Sequence, residues 1–194
     1  MADTQSRNKW NNIYQEKTPG TAEPCALLRE FAHLLPTAGA ALDVASGLGG
    51  NALWLARRGL DTTALDISDV AVQRINDYAH AQTLNLRGQT VDFTQEDVPP
   101  GAFDVIVVSH YLERRLAPQL RAALRPGGLL FYQTFVQETV DAQAPKNLQF
   151  RLTPNELLQL FNGLHVIYYR EEGRVGDAAQ GLRNVAQLIV QRRD

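Results

Sequence analysis

One segment constrains this chain more than any other: Ala41-Leu42-Asp43-Val44-Ala45-Ser46-Gly47-Leu48-Gly49-Gly50-Asn51. A short apolar strand over Ala40–Ala45 carries a carboxylate near its end. A glycine-rich turn follows, and Asn51–Arg58 reads as a helix closed by Gly59. Glycines let the chain turn sharply and let a ligand come close to the backbone. A second strand, Thr62–Ile67, brings Asp66 to its end, and Ser68 then caps a helix running to about Ala81. Strand, helix and strand in that order make a parallel unit with a right-handed crossover. Ligands in such sheets sit beyond the carboxyl ends of the strands.

The remaining sequence extends the pattern on both sides. Trp10, Ile13 and Tyr14 share one face of a short helix, which Thr18-Pro19-Gly20 breaks. A second helix is expected over Thr21–Leu35, with Leu27, Leu28, Phe31, Leu34 and Leu35 inward and Pro36 at its end. Further strands are expected at Thr90–Phe93, Phe103–Ser109 and Leu129–Phe135. Phe103–Ser109 is nearly all apolar, as when helices cover both faces of a sheet. A helix over Leu112–Leu124 and a turn at Arg125–Gly128 lie between the last two. After a polar loop, Val136–Asn147, the run Thr153-Pro154-Asn155-Glu156 is a capping box with proline at the first helical position. Leu164–Tyr169 and Val185–Val190 are closing strands, with too little chain between them for a crossover helix. The expected fold is α/β: a doubly wound, mostly parallel, seven-stranded sheet with helices on both faces and the last strand antiparallel. It forms one domain over 1–194, with a helical lid or cap over 1–36 and the core over 40–194.

Charge and cysteine content narrow the function. Lys plus Arg number 19 against 21 Asp plus Glu, a net charge of −2. Nucleic-acid binding draws on basic surface, so that class is disfavoured. Cys25 is the only cysteine, which excludes a disulfide framework or a cysteine-based zinc site within the chain, and no metal is expected. Its place ahead of the first strand also argues against a cysteine nucleophile. No apolar run reaches the roughly 20 residues of a membrane span, and the polar start of the chain is not a secretory leader. The expected compartment is the cytoplasm.

Two cofactor classes stay open on spacing alone. Gly47-x-Gly49-x-x-Ala52, with Asp66 about 20 residues on, satisfies the dinucleotide fingerprint. Asp43 weighs against it, because a carboxylate beside a pyrophosphate is repelled. The same carboxylate suits a cofactor with a cationic amino-acid end.

The chain resembles class I S-adenosylmethionine-dependent methyltransferases, most closely their tellurite-resistance-type small-molecule branch. The resemblance runs from about Trp10 to Arg170. It is carried by LDVASGLGGNALWL (Leu42–Leu55), ALDIS (Ala64–Ser68), FDVIVVSHYLER (Phe103–Arg114), LRPGGLLFYQTF (Leu124–Phe135) and LTPNELLQL (Leu152–Leu160). It implies S-adenosylmethionine as cofactor. Asp43 would face its amino end, and Gly47 and Gly49 would let the backbone pass beneath it. Asp66 would hold the ribose, with Ile67 on the adenine. Asp92 and Phe93 would bind the adenine amino group and flank its ring. Ser109 would line the methionine end, and Asn51 and Tyr14 complete the cofactor set. Tyr14 and Trp10 belong either to a lid or to a staple for the first helix. Ala45 stands where the family usually has glycine, and alanine is expected to be tolerated there if the backbone is extended.

The catalytic residue is not identified by the resemblance. His110 and Tyr111 are the candidates, His110 as general base, substrate contact or supporting hydrogen-bond partner, and Glu113 beside Arg114 is a weaker one. No Asn/Asp-Pro-Pro-Tyr motif follows the fourth strand, so a small-molecule acceptor is expected. The alternatives are an NAD(P)-dependent oxidoreductase and a non-catalytic cofactor-binding module.

Overall fold

The computed structural model describes residues 2–98 and 102–194. Its strands are β1 (Ala40–Val44), β2 (Asp61–Asp66), β3 (Leu86–Thr90), β4 (Phe103–Ser109), β5 (Leu124–Phe135), β6 (His165–Arg170) and β7 (Val185–Gln191). They form one sheet in the order β3-β2-β1-β4-β5-β7-β6. The first five are parallel, and β7 runs antiparallel to both β5 and β6. The order reverses at β1, with β2 on one side and β4 on the other. The carboxyl ends of β1, β2 and β4 therefore meet at the switch point, where α/β sheets bind ligands.

The helices are α1 (Ala2–Tyr14), α2 (Ala26–Glu30), α3 (Gly50–Arg57), α4 (Asp69–Ala81), α5 (Ala117–Ala123) and α6 (Glu156–Leu160). Two hydrophobic layers sandwich the sheet. One joins Leu42, Val44, Ile106, Val108, Leu130 and Leu188 to Leu116, Leu120 and Phe161. The other joins Ala41, Val105, Val107, Phe131 and Ile189 to Leu27, Leu28 and Leu55. The strands alternate between these layers, so the central ones are apolar throughout.

Four expectations shift. The third strand lies at Leu86–Thr90, ahead of the expected Thr90–Phe93. Val91 and Phe93 are buried in the loop beyond it, so their apolar character reflects core packing and not pairing. The second helix shrinks to α2 and a 3-10 turn at Ala32–Leu34, because Pro24 holds the preceding chain extended. The helix after β4 begins as a 3-10 turn at Arg114–Leu116 and becomes α5 at Ala117, with Pro118 in its first turn. Leu124 already pairs with Phe103, and the expected turn at Arg125–Gly128 is an irregularity inside β5.

Helix α1 is tied to the start and body of α4. Asn11 accepts from the Ser68 hydroxyl at 2.6 Å and donates to Asp69 at 2.6 Å. Arg74 closes its far end, donating to the Lys17 carbonyl at 2.8 Å and to that of Gln15. Alanine at 74 leaves these carbonyls without their cation. Faster tryptic cleavage at Arg7, Lys9 and Lys17, by about threefold or more on a stability loss of ~1 kcal/mol, is the expected result. Unchanged cleavage would mean that Asn11 alone secures the helix.

Candidate active site

The site is built where β1 and β2 end. Gly47 and Gly49 adopt positive φ, +53° and +76°, so the turn between β1 and α3 needs residues free of side-chain strain. A Cβ on Gly47 would stand 2.7 Å from the Tyr14 hydroxyl. The first helix thus presses Tyr14 onto the glycine turn, and burial and then the charge of Asp66 push the Tyr14 hydroxyl well above its usual pKa.

Asp43 is wholly buried on β1. It accepts from Asn51 Nδ2 at 3.3 Å and from the Ala52 N–H at 3.0 Å. Burial dominates its electrostatics; those two donors lower its pKa, nearby Asp66 raises it, and it stands at about 7. Asn51 Oδ1 also accepts from the Cys25 N–H at 2.9 Å, so Asn51 ties Asp43 to the segment before α2. Asp66 is 5% exposed and accepts from the Gly47 N–H at 2.7 Å and the Ser68 N–H at 2.9 Å. Burial raises its pKa too, against those backbone donors. Among the described residues neither carboxylate is in an ion pair. Ser46 Oγ, in the same turn, is buried with no hydrogen-bond partner. Two buried carboxyls without a cation and an orphaned hydroxyl make a site that suits a cationic, hydrogen-bonding ligand. The Ala52 N–H, in the first turn of α3, is spent on Asp43.

Ala45 corrects an expectation. It adopts φ +55° and not an extended backbone. L-residues there cost roughly 1–2 kcal/mol relative to glycine. Ala45→Gly is expected to stabilise the protein by about 1 kcal/mol, a rise of roughly 2–4 °C in melting temperature. An unchanged or lower Tm would show that the strain is absent or offset.

The other sequence candidates surround this centre. Ile67 is half-buried at the end of β2. Asp92 is buried, and its carboxylate accepts from the Thr94 N–H and hydroxyl and from Gln95 Nε2, closing its own loop. Phe93 is buried with its ring 6.0 Å from that of Tyr111. Tyr111 accepts at its carbonyl from the Tyr132 hydroxyl at 3.1 Å, and burial first, then neighbouring acids, raise its own hydroxyl pKa. His110 has φ +56°, and burial alone lowers its pKa. Its Nδ1 lies 3.0 Å from Ser109 Oγ and its Nε2 3.4 Å from Gln133 Nε2. Glu113 accepts from the Arg115 N–H in the turn ahead of α5.

Gln133 and Gln187, which the sequence did not single out, belong here, as does Cys25. Cys25 contacts Asn51 through its N–H and Ser109 through its sulfur, despite preceding the first strand. Burial pushes its thiol up to about 11, so it is protonated at neutral pH and remains a poor nucleophile. Gln133 and Gln187 are buried and joined, Gln187 Nε2 donating to Gln133 Oε1 at 2.7 Å. Their signal was a polar residue at an inward position of an otherwise apolar strand.

The 137–151 loop is held over the carboxyl end of β5. Arg114 pairs with Glu156 and donates to the Gln149 and Arg151 carbonyls. Glu156 in turn accepts from the Thr153 N–H at 2.8 Å, the half of the expected capping box that forms, but α6 starts at Glu156 with Asn155 as its N-cap, so Pro154 lies ahead of the helix and not at its first position. The Thr153 hydroxyl also turns to Glu156.

A family model described as a methyltransferase domain matches residues 14–166. The chain belongs to the methyltransferase domain family. Hemagglutinin 1 of Eikenella corrodens is 31% identical over 139 residues, covering 67% of this chain and 45% of that protein. Ubiquinone biosynthesis O-methyltransferase of Coxiella burnetii is 31% identical over 98 residues, 48% of this chain and 42% of the relative. The chain thus spans less than half the length of these curated relatives. Among solved structures, TehB from Haemophilus influenzae superposes with a TM-score of 0.71 at 19% identity, over 94% of this methyltransferase and 67% of TehB. A TehB-like S-adenosylmethionine-dependent methyltransferase from Corynebacterium glutamicum gives 0.66 at 14% identity over 98% of both chains. The methyltransferase has the TehB fold, and S-adenosylmethionine is the cofactor that this family and fold imply. Its ammonium fits the buried Asp43, which has no cation beside it, and its ribose hydroxyls fit the free lone pairs of Asp66. Among the described residues no cluster of His, Cys, Asp and Glu could hold a metal ion, and no helix is long and apolar enough to cross a membrane.

Proposed function

We propose that this methyltransferase is a single-domain enzyme that transfers a methyl group from S-adenosylmethionine to a small-molecule acceptor. The observation that carries the reading is the buried, cation-free pair Asp43 and Asp66 at the switch point. Asp43 holds the amino-acid end and Asp66 accepts from the ribose hydroxyls. Ile67 and Phe93 pack on the adenine, Asp92 meets its amino group, and Ser109 lines the methionine end. Asn51 acts through Asp43, and Ala45, Gly47 and Gly49 supply the turn under the ligand. Helix α1 serves as a lid that brings Tyr14 over the turn. The cofactor supplies a methyl group already activated on a sulfonium, so the protein contributes mainly proximity and orientation.

A small acceptor is supported by the absence of basic excess and by the loop 137–151 and α1, which frame the site. The relative named for ubiquinone biosynthesis points the same way. A single half-buried cysteine without a disulfide suits a reducing compartment, the cytoplasm.

Calorimetric titration with S-adenosylhomocysteine and, separately, NAD tests the cofactor. Saturable binding of the first alone is expected, followed by turnover with a small acceptor. Binding of NAD alone would overturn the reading, and binding of S-adenosylhomocysteine without turnover on any acceptor would leave a non-catalytic module.

A further inference from the structure

We propose that Gln133 and Gln187 are positioning residues that hold His110 neutral, with its proton on Nδ1 and its Nε2 lone pair engaged inside the protein. The geometry stands by itself; its catalytic meaning rests on the methyltransferase reading.

Hydrogen-bond polarity runs in one direction across the sheet. Ser109 pairs with Gln133 between β4 and β5, and Gln133 pairs with Gln187 between β5 and β7. Their side chains lie in one row on the same face as Phe131 and Ile189. The Tyr168 hydroxyl on β6 donates to Gln187 Oε1 at 3.4 Å, a direction that the donor-only guanidinium of nearby Arg170 favours. Gln187 Nε2 is then left to donate to Gln133 Oε1 at 2.7 Å. That contact turns Gln133 Nε2 toward His110 Nε2 at 3.4 Å.

Two N–H groups cannot face each other, so His110 Nε2 is the acceptor. A neutral imidazole with its lone pair there carries its hydrogen on Nδ1, which donates to Ser109 Oγ at 3.0 Å. The Ser109 proton is left for the Cys25 sulfur. A row of side chains that starts at the edge strand thereby sets the tautomer of a histidine beside the methionine end of the site. The backbone supports this placement: the His110 N–H donates to the Gln133 carbonyl at 2.8 Å, and its ring lies 5.1 Å from that of Phe135. The titratable groups along the row are Arg170 and Tyr168 on β6 and Cys25 ahead of α2. Burial lowers the pKa of the ring and favours its neutral form.

His110 then does not accept a proton from the methyl acceptor through Nε2 while the row is intact. The acceptor arrives as an anion or gives its proton elsewhere.

The test is the imidazole 15N spectrum of the full chain, with His110 assigned by its loss in His110→Gln. The expected wild-type spectrum shows Nδ1 protonated and Nε2 bare. Gln133→Glu replaces the donor facing Nε2 by a carboxylate. The proton is expected to move to Nε2, and the titration midpoint of His110 to rise by about one pH unit or more. Gln133→Met, which removes the donor without adding charge, should give a mixture of tautomers. A wild-type proton on Nε2, or a His110 spectrum unmoved by both variants, overturns the proposal. The wild-type spectrum decides even where a variant does not fold. S-adenosylhomocysteine titrated into the same samples separates the two readings, since a wild-type protein that fails to bind it overturns the cofactor assignment and leaves the tautomer result intact.

Discussion

Asp66→Asn is expected to weaken S-adenosylhomocysteine binding by roughly 100-fold or more while leaving a folded protein. The side chain sits at the carboxyl end of β2 with one oxygen on the Gly47 N–H and the other on the Ser68 N–H. Each oxygen keeps a second lone pair for a ligand hydroxyl. Hydrogen bonds to a charged acceptor contribute about 1.5–3 kcal/mol each, so two of them amount to roughly 3–6 kcal/mol, and 1.4 kcal/mol is about a factor of ten. Asparagine preserves the volume and one acceptor, but its amide must present N–H to a backbone N–H on one side. A melting temperature within about 5 °C of wild type, beside a calorimetric titration, separates lost ligand contacts from a lost turn. Binding within fivefold of wild type would show that the ribose is held elsewhere and that Asp66 serves only to brace Gly47 against Ser68.

Such a test is possible from sequence because Asp66, Asp43 and the glycines lie on one local unit. Strand, turn, helix and strand are adjacent in the chain, and the hydrophobic period of each is strong. Phe103–Ser109 is recovered to the residue, since a mostly apolar, β-branched run of seven that follows Pro99-Pro100-Gly101 and ends ahead of His110 admits little else. The Ser68 cap is also found, with its hydroxyl accepting from the Ala71 N–H. Legibility falls where tertiary structure outweighs local pattern. Strand β3 is an edge strand of mixed polarity in which Gly88 is the one buried residue, so the apolar Val91 and Phe93 beyond it attract the assignment. The row from Tyr168 to Ser109 is invisible locally. Its members come from four strands, and it exists only because β7 inserts between β5 and β6. Ala45 is the instructive miss: the side chain reads as compatible with a strand, while the turn imposes a left-handed backbone.

Asp43 carries the largest pH effect. Burial dominates its pKa of about 7, with Asn51 and Ala52 pulling down and Asp66 pushing up. In the unfolded chain an aspartate titrates near 3.9. The folded protein therefore holds a proton between about pH 4 and 7 that the unfolded chain has released. By linkage, stability falls as pH rises through that window, by about 1.4 kcal/mol per unit. Asp43→Asn removes this group from the titration and keeps the shape. The stability advantage of the variant over wild type should grow by roughly 3 kcal/mol between pH 5 and pH 8, read from denaturant unfolding. Ligand binding should run the other way. A cationic amino group beside Asp43 favours the carboxylate, so binding at pH 6 is expected to release close to one proton, measured from calorimetric enthalpies in two buffers. Affinity should rise by up to about tenfold per pH unit below 7 and level off above it. In Asp43→Asn both the released proton and this slope should vanish, along with most of the affinity. If wild type binds at pH 6 without releasing a proton, the amino end of the ligand lies away from Asp43, and the carboxylate serves only to secure the start of α3.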